Sequence, residues 1–164
     1  MNVGTIRSVL ATTALLAAPW AFADSGSYEA VTSLTTDYAK SEQGDVTVTG
    51  GSSAGTQTII KSSGGLFPEG SSTLFGCIVY AKKSAAGLDL EASCNTTDSS
   101  GDKVFSLAKR KVGDVTPGGG WTGTSAIHGG TGKYAGVTGN CNYKIDVLSA
   151  NRLVTLAKCQ WQKP

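Results

Sequence analysis

The stretch FGCIVYAKKSAAGLDLEASC, Phe75 to Cys94, consists of two alternating segments joined by small residues. Apolar and polar side chains alternating at period two mark a strand with one buried face. If the chain reverses between Ala85 and Ala86, Cys77 faces Cys94. The same register opposes Val79 to Ala92 and Ala81 to Leu90 on the cysteine side, and Tyr80 to Glu91 and Lys82 to Asp89 on the other. One face is then apolar and the other polar, as a half-buried antiparallel pair requires.

The C-terminal segment repeats the pattern. With Ser149-Ala150-Asn151 as a three-residue loop, Cys141 faces Cys159, Tyr143 faces Ala157, Ile145 faces Thr155 and Val147 faces Leu153. Asn151 serves as the left-handed residue of such a loop. Opposed residues of an antiparallel pair have Cα atoms about 4.5 to 5.5 Å apart, within the span of a disulfide. Disulfides Cys77–Cys94 and Cys141–Cys159 are therefore predicted. Each closes a loop of fewer than about twenty residues and contributes roughly 3 kcal/mol in the chain-entropy account. No C-x-x-C pair occurs and His128 is the only histidine, so the cysteines are read as bridges and no metal site is assigned.

Four cysteines, an even number, suit an oxidising compartment, and the N-terminus agrees. Arg7 precedes an apolar run from Val9 to Ala18, and Ala21-Phe22-Ala23 offers a small-residue cleavage site before Asp24. The run is too short to span a bilayer, so residues 1–23 read as a signal peptide and 24–164 as one exported domain, periplasmic or secreted, without stable membrane insertion after cleavage. Setting Arg7 aside from the 14 basic residues leaves 13 against 12 acidic ones. That balance gives no electrostatic footprint for nucleic acid or an anionic membrane. The one basic run, Lys109-Arg110-Lys111, lies in an alternating segment and reads as a solvated strand face. Oligomeric state does not follow from these residues.

The rest of the domain lacks helical periodicity. Strand-like segments recur at Tyr28 to Tyr38, Asp45 to Thr49, Thr56 to Lys61, Lys103 to Val112 and Trp121 to Ile127. Turn signals separate them at Gly50-Gly51-Ser52-Ser53, Gly64-Gly65, Pro68-Glu69-Gly70 and Pro117-Gly118-Gly119-Gly120. With the two hairpins this makes eight or nine strands, an all-β fold. A small closed antiparallel barrel is favoured because many short, glycine-rich strands suit a strongly coiled sheet without edges; a β-sandwich is the alternative.

The stretch GGTGKYAGVTG, Gly129 to Gly139, has the glycine content of a phosphate cradle but not its setting. Such cradles stand between a strand and a helix, whereas a strand-like segment follows here, and Lys133 is followed by Tyr134 instead of Ser or Thr. Gly129, Gly130, Gly132, Gly136 and Gly139 are read as a structural turn that supplies positive φ and bulges. The same stretch resembles the motif of small exported bacterial proteins related to the allene oxide cyclase and dirigent barrels. Gly-Gly-Thr-Gly followed one residue later by an aromatic, here Tyr134, is similar to the dirigent pattern, and Cys94 to Lys103 resembles a second stretch of those bacterial proteins. The resemblance covers roughly residues 76 to 146 and implies an eight-stranded antiparallel barrel with an apolar interior.

Three functions follow as expectations. The first is a binding module for a small apolar molecule, with Trp121, His128, Tyr134, Tyr143 and Trp161 as candidate cavity residues and no cofactor. The second is a cyclase or isomerase of the same fold, which needs an ionisable side chain facing the interior. The third is a structural or surface interaction protein whose barrel is filled; a cavity smaller than about 300 Å³ would favour it. No Gly-x-Ser-x-Gly elbow stands before a helix, and Asp98 and Asp102 read as a solvated turn in preference to a calcium loop.

Overall fold

Both hairpins form in the expected register. In the computed structural model, which describes residues 24–113 and 117–164, Cys77 pairs with Cys94 and Cys141 with Cys159. Both pairs are disulfide-bonded, with Cα separations of 4.1 and 4.0 Å. The leader read over residues 1–23 lies outside the described residues.

The strands are β1 (Asp24–Gln43), β2 (Val46–Ser62), β3 (Ser72–Ser84), β4 (Gly87–Thr97), β5 (Lys103–Gly113), β6 (Gly120–Gly130), β7 (Thr138–Ser149) and β8 (Arg152–Lys163). Each pairs antiparallel with the next, and β1 with β8 closes the barrel, so the sandwich alternative falls. Closure satisfies backbone groups that a sandwich would leave on its edge strands.

Two readings of the turns are corrected. Gly50-Gly51-Ser52-Ser53 is not a turn but the middle of β2, which joins the segments Asp45 to Thr49 and Thr56 to Lys61 into one strand. Its glycines answer to close approach: a β-carbon on Gly55 would overlap the Ser33 carbonyl of β1, and one on Gly51 the Asp37 carbonyl. In the β7–β8 hairpin the linking residues are Ala150 and Asn151 alone. The pairing shifts between Val147 and Ser149, so exposed Leu148 takes up the extra residue as a bulge. Asn151 does not need the left-handed region, for no non-glycine residue among those described has a positive φ.

Inward positions repeat every second residue. Tyr28, Ala30, Thr32, Leu34 and Thr36 of β1 are buried, as are Cys77, Val79 and Ala81 of β3. One end of the barrel is plugged by Phe67, which rises from the β2–β3 connection. It stacks on Tyr28 at 4.5 Å and Tyr134 at 5.4 Å and meets Trp161 edge-on at 5.5 Å. Ile59, Val104 and Val137 complete this floor. The outer face carries ion pairs, Glu91 with Lys109 at 2.7 Å and Glu29 with both Lys158 at 3.5 Å and Lys61 at 3.8 Å.

Candidate binding cavity

Above the aromatic floor the barrel is hollow. A cavity of about 860 Å³ runs toward the opposite end, where Lys40, Glu42, Lys83 and Asn151 stand around its mouth. The rim is uneven. β1 pairs with β8 only as far as Thr35, whereas β1 and β2 remain paired out to Gln43 and Val46, so this hairpin stands above the rim.

Alternation explains the wall. Leu34, Phe75, Val79, Leu90, Ile145 and Val147 face the cavity, joined by all four disulfide sulfurs' residues. The bridges thus tie neighbouring strands together on the inside of the barrel. A polar patch interrupts the apolar surface where Gln57 Nε2 donates to Thr32 Oγ1 at 3.3 Å, near buried Ser53 and Thr36. Thr155 Oγ1 and Trp121 Nε1, also in wall residues, are buried without a hydrogen-bond partner. The charged wall residues are Asp37, Lys40, Glu42, Lys83 and Arg110, and by strand position all five belong to the mouth half.

Of the five aromatic and imidazole side chains expected around a cavity, Trp121 and Tyr143 line this one. Tyr143 lies flat against β6 because position 123 is glycine; a β-carbon there would run into the phenol. Its hydroxyl reaches past β6 and donates to the Lys109 carbonyl of β5 at 2.9 Å. Burial pushes the Tyr143 phenol up to about 12, an effect partly offset by Trp121 and the Arg110 charge nearby.

The other three are placed elsewhere. Tyr134 and Trp161 are 5% and 3% exposed and belong to the floor, where their rings meet Phe67. His128 points outward and stacks on Phe105 with ring centroids 6.4 Å apart. Period two along β6 accounts for this, since Ile127 before it is buried; a bulge follows at the same place, where Phe105 pairs with Gly129 and Ser106 with Ile127, with Gly129 at φ 144°.

The glycine stretch closes on the chain's own carboxylates. Gly132, at φ 50°, opens a single 3-10 turn through Tyr134, and a β-carbon on it would overlap the Asp102 carboxylate. The Lys133 backbone N–H donates to Asp102 Oδ2 at 3.2 Å, and Lys133 Nζ pairs with Asp98 Oδ2 at 2.5 Å. Asp98 Oδ1 accepts from the Ser100 and Asp102 backbone N–H groups at 2.8 and 3.1 Å. The Lys133 ammonium holds the Asp98 carboxyl below the ordinary aspartate value, and Asp98 in turn raises Lys133. The acidic loop is thus a turn latched to the glycine stretch.

Phe67, Gly123 and Arg110 emerge only in three dimensions. Phe67 had a signal, since Leu66-Phe67 is an apolar pair between two turn signals, and a surface turn has no use for one. Arg110 is not part of a solvated strand face, as the basic run suggests; it faces the cavity, with its guanidinium 5.7 Å from the centre of the Trp121 ring. Comparison of the chain with protein-family models, with curated proteins and with solved structures finds no match.

Proposed function

We propose that the protein is an exported barrel that holds a small apolar molecule in its interior. The observation that carries this reading is the cavity, whose volume of about 860 Å³ lies well above the roughly 300 Å³ at which small-molecule sites begin. A filled structural barrel has no use for such a void, because each lost contact in a core costs stability. The two disulfides offset part of that cost and fit a non-cytoplasmic compartment, periplasmic or extracellular. The outer face exposes apolar side chains such as Leu74 and Ile78 but also carries ion pairs on β1, β4, β5 and β8, which a continuous lipid-facing band would exclude.

The likeness of the glycine stretch to allene oxide cyclase and dirigent barrels belongs to the same proposal, since those barrels act by enclosing an apolar guest. Binding is favoured over cyclase or isomerase chemistry by where the charges stand. General acid–base work needs a titrating group beside the reacting atoms, and the carboxylates and amines of the described wall gather at the mouth. Native mass spectrometry of the mature protein purified from its own host tests the reading. A reproducible small molecule lost on denaturation is expected; a bare chain with both disulfides formed, unable to take up a neutral apolar dye, refutes it.

A further inference from the structure

Resting on that reading, we infer that Arg110 forms an anion-recognising subsite at the cavity mouth, so that the guest is an amphiphile with an apolar body and one acidic group such as a carboxylate, sulfonate or phosphate. Arg110 is partly buried in the cavity wall, and among the described residues no carboxylate forms a salt bridge with it. A guanidinium withdrawn from water without an anion is unfavourable, so a guest that supplies one gains a charge-assisted contact. The side chain is also held in place. Its guanidinium lies over the Trp121 ring, which limits the rotamer freedom that binding would otherwise have to remove.

Among the described residues the ladder beside this group is incomplete. Pairing between β4 and β5 ends at Glu91 with Lys109, although β4 continues against β3 to Gly87 and β5 against β6 to Gly113. Arg110 is therefore the first residue of β5 beyond the shared ladder, on one lip of a notch in the wall. Leu88 and Leu90 line the cavity from the other lip. A guest seated with its acidic group at Arg110 places its apolar body against these leucines and the wall below. Among the described lining residues Lys40 and Lys83 balance Asp37 and Glu42, and Arg110 adds one positive charge.

The test compares two fluorescent probes that share one aromatic skeleton, anilinonaphthalene sulfonate, which is anionic, and phenylnaphthylamine, which is neutral. Both are titrated into the mature, disulfide-bonded protein and its Arg110→Gln, Arg110→Lys and Lys158→Gln variants. Arg110→Gln is expected to weaken the anionic probe roughly tenfold while moving the neutral one less than about twofold. Arg110→Lys should recover part of the loss, Lys158→Gln on the outer face should change little, and added salt should weaken only the anionic probe. Equal binding of the anionic probe to wild type and Arg110→Gln, with the neutral probe still bound, overturns the subsite and leaves the cavity reading standing. Failure of both probes to bind wild type overturns the two together.

Discussion

The ring of Tyr143 lies across Gly123, and its hydroxyl donates to the Lys109 carbonyl one strand further on at 2.9 Å. Three adjacent strands, β7, β6 and β5, are tied together inside the cavity by this one side chain. The tie depends on the missing β-carbon, because an added methyl at position 123 meets both the phenol and the Lys109 carbonyl. Gly123→Ala is expected to destabilise the barrel by about 1 to 3 kcal/mol through overpacking. Tyr143→Phe should cost about 1 kcal/mol through the lost hydrogen bond alone. Urea unfolding with the disulfides intact measures both. A neutral Gly123→Ala would mean that the ring has another place to go.

The same phenol should titrate late. Burial raises Tyr143 to about 12, above the ordinary tyrosine value near 10. A raised value in the folded state means that the associated stability is fully present below about pH 10 and is lost as pH rises toward 12, where the unfolded chain releases its proton first. Tyr28 is raised by burial as well, so ultraviolet titration of the tyrosinates should show a late step that is smaller by one phenol in Tyr143→Phe. Loss of that step's difference, with both proteins titrating alike, would place the hydroxyl in water.

Much of this architecture could be read from residue order, for a local reason. A hairpin joins neighbours in sequence, so alternation and loop length fix its register, and Cys77 with Cys94 or Cys141 with Cys159 then follow from geometry. Features that join distant segments were not legible in this way. Gly51 resembles a turn residue until β1 is laid against it, and Arg110 resembles part of a solvated basic run until β5 is placed in the barrel, where it shares the inward face of Val104, Ser106 and Ala108 and meets Trp121. Nor can period two distinguish a filled interior from a hollow one. Trp121 and Tyr143 line the void and Trp161 seals the floor, yet all three share the same alternation.

Acid should loosen the glycine stretch before it unfolds the barrel. Lys133 holds the Asp98 carboxyl below its ordinary value, so this pair's contribution is present above about pH 4 and is lost as pH falls through the folded-state value of Asp98. Protection factors across Gly129 to Gly136, taken relative to the intrinsic exchange rate at each pH, should fall on acidification in the wild type. Asp98→Asn should exchange faster already at neutral pH and respond less to acid. An acid response of unchanged size in Asp98→Asn would assign it to other groups.

The floor gives the last prediction. Phe67 is 7% exposed and touches Tyr28, Tyr134 and Trp161, yet it comes from a connection between strands and belongs to no strand itself. Its removal leaves a void among three rings held by β1, β8 and the glycine stretch, which closure of the barrel prevents from collapsing inward. Phe67→Ala is therefore expected to lose about 3 to 5 kcal/mol, the upper range for a core aromatic. The barrel itself should survive, since its eight ladders and both disulfides are untouched, so far-ultraviolet circular dichroism at low temperature should stay native. Because Phe67 separates the cavity from solvent at that end, a neutral apolar dye should also leave the variant faster than it leaves the wild type. A large loss of stability with an unchanged release rate would confine Phe67 to a packing role and assign all guest traffic to the mouth.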